Sequence, residues 1–243
     1  MATTSPLFAD ASLEDLLARA RQRFSIVFKP VRIGEHTLEI THIENMTDYL
    51  DRLANQSRQG ETIELPLWAK IWPASTILAL SMTQIPATAS KRILEIGAGL
   101  GIPGLVAAAR GFTTVITDTN EDALLFTRIN VLKNGLEKNA TVQHLDILTQ
   151  DTDQPFDAIL GSEVFYLKDS APQIVRFLRN SLVPGGMALF ARDAARQNTR
   201  FLTQAAPFFE IGIKQVGYKQ GEEEHPFKAT LYRLTPKNEV NAQ

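Results

Sequence analysis

Apolar and polar positions change period several times along the chain, and each change marks an element. The segment "SLEDLLARARQRF" (12–24) carries Leu13, Leu16 and Leu17 on one helical face with Ser12 placed as its cap. "SIVFKPVRIGEHTLEITHI" (25–43) alternates apolar and polar residues on both sides of Gly34-Glu35 and predicts a β-hairpin. "NMTDYLDRLANQSRQ" (45–59) predicts a second short helix. These elements make residues 1–65 an N-terminal accessory layer, with the hairpin at 25–43 expected to shape the entrance of an acceptor and residues 1–43 expected to be dispensable for cofactor binding.

From "WAKIWPASTILALSMTQI" (68–85) onward, short apolar runs alternate with helical patterns. Strands are predicted at 92–96, 114–118, 141–146, 157–162 and 186–191, and helices at 102–110, 120–134, 170–182 and 194–207. Gly111 and Gly135 stand where helices end, and Asn120 stands where one begins. Strands joined by helices at this spacing imply right-handed crossovers and a parallel sheet covered on both faces. The rhythm then breaks: "FEIGIKQVGYKQ" and "KATLYRLTP" are two strands joined by "GEEEHPF" with no helix between them. The predicted fold is α/β: a doubly wound, Rossmann-like seven-stranded sheet over 66–238, mostly parallel, closing in an antiparallel C-terminal pair.

Composition narrows the function. With 44% hydrophobic and 21% charged residues among 243, the chain has the balance expected of a soluble globular protein. A net charge of −2 without a Lys/Arg block argues against nucleic acid as a partner. No apolar run reaches the ~18 residues of a membrane span, so no membrane role is expected. The absence of cysteine excludes disulfides and thiolate chemistry, and His36, His42, His144 and His225 lack metal-ligand spacing, so no metal is expected. Acids at Asp10, Glu14 and Asp15 argue against a targeting peptide, which makes the cytoplasm the expected compartment. Nothing in the pattern sets an oligomeric state.

The chemistry gathers around "RILEIGAGLGIPGLVAAARG" (92–111). Gly99-x-Gly101-x-x-Gly104 matches a dinucleotide fingerprint formally, but it starts three residues past the strand and contains Pro103. The alternative register, Glu95-x-Gly97-x-Gly99-x-Gly101, starts at the strand end. A carboxylate ahead of the first glycine repels a pyrophosphate and suits a cofactor with an ammonium group, which S-adenosylmethionine has. Asp118 ends the next strand 21 residues after Gly97, where it can accept both hydroxyls of a ribose.

These residues carry a resemblance. "ILEIGAGLGIPGLVAA", with "WAKIWPAS" upstream and "FDAILGSEVFY" downstream, is similar to the seven-β-strand S-adenosylmethionine-dependent methyltransferases, and most of all to their methyltransferase-like protein-lysine N-methyltransferases. The resemblance covers about residues 65–235. It implies that Trp72 lines the cofactor pocket, that Gly97, Ala98 and Gly99 contact the methionine half, and that Asp118 contacts the ribose. It also implies that Asp146 meets the adenine amine, that Ile147 packs where relatives have a tryptophan, and that Ser162 borders the adenosyl group. Glu163 and Tyr166, at the end of the fourth strand, would face the transferred methyl. There the lysine branch usually has Asp-x-x-Tyr, so this chain's acid is one methylene longer. The implied function is methyl transfer to lysine of a protein substrate. A small-molecule amine as acceptor, or cofactor binding without turnover, are the alternatives.

Overall fold

The computed structural model describes residues 8, 10–56, 65–86, 91–165, 170–196, 199–218 and 227–237. Helix α1 (Leu13–Arg21) starts where Ser12 and Asp15 cap each other: the Asp15 N–H donates to Ser12 Oγ and the Ser12 N–H to the Asp15 carboxylate. Strands β1 (Ile26–Ile33) and β2 (His36–Ile43) pair antiparallel about Gly34, whose φ of +60° admits the tight turn. Helix α2 (Met46–Gln56) follows. A short 3₁₀ turn at Leu67–Ala69 precedes α3 (Pro73–Met82), which opens on a proline at its first position.

The main sheet then builds up as β3 (Arg92–Ile96), α4 (Ile102–Ala109), β4 (Thr113–Asp118), α5 (Glu121–Lys133) and β5 (Ala140–His144). It continues through β6 (Phe156–Ser162), α6 (Ala171–Ser181), β7 (Leu182–Asp193), α7 (Thr199–Ala205), β8 (Phe209–Tyr218) and β9 (Phe227–Pro236). The strand order is β5-β4-β3-β6-β7-β9-β8, with β9 antiparallel to both neighbours and the other pairs parallel. The order reverses between β3 and β6, so the carboxyl ends of those two strands flank the crevice where doubly wound folds take ligands.

Alternate residues of the central strands enter opposite cores. Ile93, Ile116 and Leu160 are buried against α3, α4 and α5, while Leu94, Val115 and Ile159 are buried with α6 and α7. Two elements differ from the sequence pattern. Strand β7 runs on to Asp193 because β9 pairs with it that far (Asp193 opposite Ala229), so α7 begins only at Thr199. Strand β5 stops at His144, which leaves Asp146 in the following turn.

The N-terminal layer is not a dispensable cover. Leu16, Ala20, Phe24, Ile33, Leu38 and Ile40 are buried in the same core as Leu105, Phe126 and Ile129. The Phe24 ring stands edge-on to Phe126 (5.3 Å) and to Trp68 (5.9 Å), and Arg23 pairs with Asp122 on α5. The hairpin therefore completes one wall of the α/β core, and removing it would expose that wall.

Candidate active site

The glycine loop joins β3 to α4 and is held from three sides. From the sheet, the Ala98 N–H donates to the Thr117 carbonyl (3.0 Å) and the Gly99 N–H to Asp118 Oδ2 (2.9 Å). From α5, Thr127 Oγ1 donates to the Gly99 carbonyl (2.8 Å) and Asn130 Nδ2 to the Leu100 carbonyl (3.1 Å). From above, the Trp68 backbone closes on Gly99: a Cβ there would lie 2.9 Å from the Trp68 carbonyl oxygen, and φ is +57°. Only glycine meets both conditions.

Glu95 has a different place from the one its sequence position suggests. It is 1% exposed, and its Oε2 accepts the Gly104 N–H at 2.7 Å. Burial, reinforced by nearby Asp118, pushes its pKa up to about 8. At neutral pH this is a protonated carboxyl fastening the first turn of α4 to β3, and the structure gives it to the loop itself. A Cβ on Gly104 would lie 2.6 Å from that same Oε2, so the glycine and the acid are matched.

Asp118 is half-buried at the end of β4. Its Oδ2 takes the Gly99 N–H and its Oδ1 the Asn120 N–H, both at 2.9 Å. Two backbone donors fix the carboxylate, and each oxygen retains a lone pair for a further donor. A carboxylate so placed fits the two hydroxyls of a ribose and disfavours a phosphate. Asp146 caps its own turn, with Oδ1 accepting the Leu148 N–H (3.0 Å) and Oδ2 the Thr149 hydroxyl (2.9 Å). Ile147 packs, partly buried, on the core that holds Leu94 and Val115. Trp72 stands at the N-terminus of α3; its Nε1 donates to the Leu67 carbonyl (2.9 Å), and the Lys70 ammonium lies 4.8 Å from its ring. The indole thus staples the 65–72 segment, the same segment that covers Gly99.

On the other side of the crevice Gly97 approaches Val164: a Cβ on the glycine would lie 3.0 Å from it. Ser162 closes β6 opposite Ala191 of β7. Glu163 follows with φ at +55°, a left-handed conformation that costs a non-glycine residue roughly 1 kcal/mol. Its N–H donates to the Ala191 carbonyl, its Oε1 accepts the Asp193 N–H (2.7 Å), and its Oε2 accepts from Arg196 (3.1 Å) with Arg192 at 3.9 Å. The left-handed turn folds the carboxylate across the end of β7. Tyr166 lies outside the described residues, as does the "GEEEH" run. Among the described residues no group of three or more histidines and acids could hold a metal ion, and no helix is long and apolar enough to cross a membrane.

The chain is similar to known proteins in sequence and in fold. The family model described as lysine methyltransferase matches residues 54–207. The chain belongs to that lysine methyltransferase family. Protein N-lysine methyltransferase METTL21A of Danio rerio is 31% identical over 173 residues, covering 66% of this chain and 76% of that protein. Histone-arginine methyltransferase METTL23 of Xenopus laevis is 29% identical over 159 residues, covering 60% and 65%. Among solved structures, the glycopeptide N-methyltransferase MtfA complexed with S-adenosyl-L-methionine superposes with a TM-score of 0.55 at 13% identity, covering 67% of this chain and 94% of that one. N-methyltransferase NodS from Bradyrhizobium japonicum gives 0.52 at 21% identity, covering 68% and 93%; both likenesses concern the fold. This lysine methyltransferase uses S-adenosylmethionine as its methyl donor.

Several residues of the site carry no motif and were not singled out from the sequence. Arg192 and Arg196 meet Glu163, Thr127 and Asn130 hold the loop, and the Trp68 backbone covers it. Arg192 and Arg196 were open to suspicion from the sequence, since Arg192 stands near the carboxyl end of β7 and Arg196 just past it, next to β6. Thr127 and Asn130 look like ordinary helix residues until the crossover brings α5 against the loop.

Proposed function

We propose that this methyltransferase transfers a methyl group to lysine side chains of a protein acceptor, with Glu163 meeting the acceptor nitrogen. Family membership over residues 54–207 carries the reading of lysine as acceptor. The left-handed Glu163 at the carboxyl end of β6 supports the residue assignment, because backbone strain at such a place is kept where it serves a ligand. Relatives named as protein N-lysine methyltransferases support a polypeptide over a free amine.

The bound cofactor supplies an electrophilic methyl on a sulfonium. Asp118 would orient the ribose, and Gly97, Ala98 and Gly99 would let the methionine half approach the backbone. Trp72 and Ser162 would border the pocket, with the turn at Asp146 and Ile147 placed for the adenine. Glu163 would attract the lysine ammonium and, once its proton has passed to water, hold the neutral amine in line with the methyl; as the N–C bond forms and the C–S bond breaks, releasing S-adenosylhomocysteine, it would stabilise the positive charge that grows on nitrogen. Its carboxylate already faces Arg196, whose side chain is 53% exposed. An incoming lysine would take over from one exposed cation rather than enter a vacant acid. Tyr166 would offer a ring face or hydroxyl to the same nitrogen.

Glu163→Gln tests the assignment, because it preserves shape and hydrogen bonding while removing the charge. Turnover is expected to fall about 10²–10³-fold with S-adenosylhomocysteine affinity nearly unchanged. Turnover at the wild-type rate would make Glu163 a structural acid of the β6–α6 loop.

A further inference from the structure

Strand β2 pairs with β1 on one edge only, and its other edge faces α5. Backbone groups on that edge need partners, and two asparagines provide them. Asn134 Oδ1 accepts the Glu39 N–H (2.9 Å) while its Nδ2 donates to the Glu39 carbonyl (2.9 Å). Asn130 Oδ1 accepts the Thr41 N–H at 2.8 Å. The spacing is geometric: four helix residues rise about 6 Å and two strand residues about 7 Å, so positions 130 and 134 meet 41 and 39 in step.

Asn130 has a second bond, and it leads elsewhere. Its Nδ2 donates to the Leu100 carbonyl in the glycine loop at 3.1 Å. Asn130 and Thr41 are both 0% exposed. A single buried planar amide therefore ties the hairpin to the loop. Moving the hairpin turns that amide and leaves either the Thr41 N–H or the Leu100 carbonyl buried without its partner. Thr127, one turn earlier on α5, donates to the loop at Gly99, and Asn134, one turn later, bonds the hairpin at Glu39 and donates back to the Asn130 carbonyl.

We propose that Asn130 is a positioning residue that couples the N-terminal hairpin to the cofactor loop, so that cofactor binding orders the hairpin and hairpin docking tightens cofactor binding. Linkage makes the two effects equal. The proposal rests on the reading that the glycine loop carries the cofactor. It makes the N-terminal layer a participant in cofactor affinity, through a side chain that touches no reacting atom.

The test combines calorimetric titration of S-adenosylhomocysteine with hydrogen exchange of the full chain. Asn130→Ala and Thr127→Val are each expected to weaken binding about five- to tenfold, as the loss of one buried hydrogen bond to the loop implies. Saturating S-adenosylhomocysteine is expected to slow exchange at residues 36–43 of the wild type, and of Thr127→Val, more than it slows β9. In Asn130→Ala that excess should vanish. A folded Asn130→Ala that binds as tightly as wild type overturns the coupling. So does wild-type exchange at 36–43 that gains no more than β9, and this arm decides alone if Asn130→Ala does not fold. Asp118→Ala guards the underlying reading: if it still binds S-adenosylhomocysteine normally, the loop assignment fails, whereas failure confined to the Asn130 arms sinks only the coupling.

Discussion

At the scale of single residues, the site separates groups that build the cofactor loop from groups that face the crevice. Asp118 does both, since its carboxylate anchors Gly99 and still offers lone pairs outward. Asp118→Ala is therefore expected to abolish thermal stabilisation by S-adenosylhomocysteine; an undiminished shift would remove the ribose contact from the account. Glu95 belongs to the builders. Its folded pKa of about 8 lies above the ordinary carboxyl value of 4.5, so the folded state binds the proton more tightly than the unfolded one. The stabilisation it gives is complete below about pH 4.5 and is lost as pH rises through 8. Glu95→Gln keeps an acceptor for Gly104 without a titrating group, so the melting temperature should fall less steeply between pH 5 and 8 than in the wild type. Parallel pH profiles for the two proteins would mean that Glu95 is ionised in the fold. The strand-end position of Glu95 was legible in the sequence, but its direction was not. A carboxyl at the end of a strand can point into the crevice or back to the helix, and only the close approach of Gly104 decides between them.

At the scale of elements, the hydrophobic periods located almost every strand and helix, because the central strands are buried on both faces and α1 and α5 carry side-chain caps at Ser12 and Asn120. Asn120, for example, accepts from the Asp122 and Ala123 N–H groups at 3.0 Å. What periodicity could not show was contact between elements distant in sequence. The extension of β7 to Asp193 depends on β9, and the burial of the N-terminal layer depends on α5. That burial reverses the expectation that the layer can be removed. Deleting residues 1–43 strips Leu16, Phe24, Ile33, Leu38 and Ile40 from the core, each 4% exposed or less. Each large apolar side chain contributes roughly 1.5–3 kcal/mol, against a total margin of about 5–15 kcal/mol for a domain. The truncated chain should lack a cooperative melting transition. A soluble truncation that melts cooperatively and binds S-adenosylhomocysteine would show the layer to be an appendage. Phe24→Ala, a milder change, should cost about 3–5 kcal/mol in denaturant unfolding.

At the scale of the whole molecule, the sheet order places the ends of β3, β4 and β6 around one crevice, and the chain belongs to the lysine methyltransferase family. The glycine loop and Asp118, where the cofactor is proposed to sit, were readable from the sequence. The proposed acceptor side was readable only in part, because Glu163 carries a motif while Arg192, on β7, and Arg196, in the turn after β7, reach it from a distant part of the sequence. The central claim is methyl transfer to lysine of a polypeptide. Its most direct measurement is to incubate the full chain with methyl-labelled S-adenosylmethionine and a cell lysate, hydrolyse the labelled polypeptides, and identify the labelled amino acid. The account predicts label in methylated lysine with wild type and loss of that label with Glu163→Gln. Label confined to small amines, or recovered from polypeptide in an amino acid other than lysine, would contradict it.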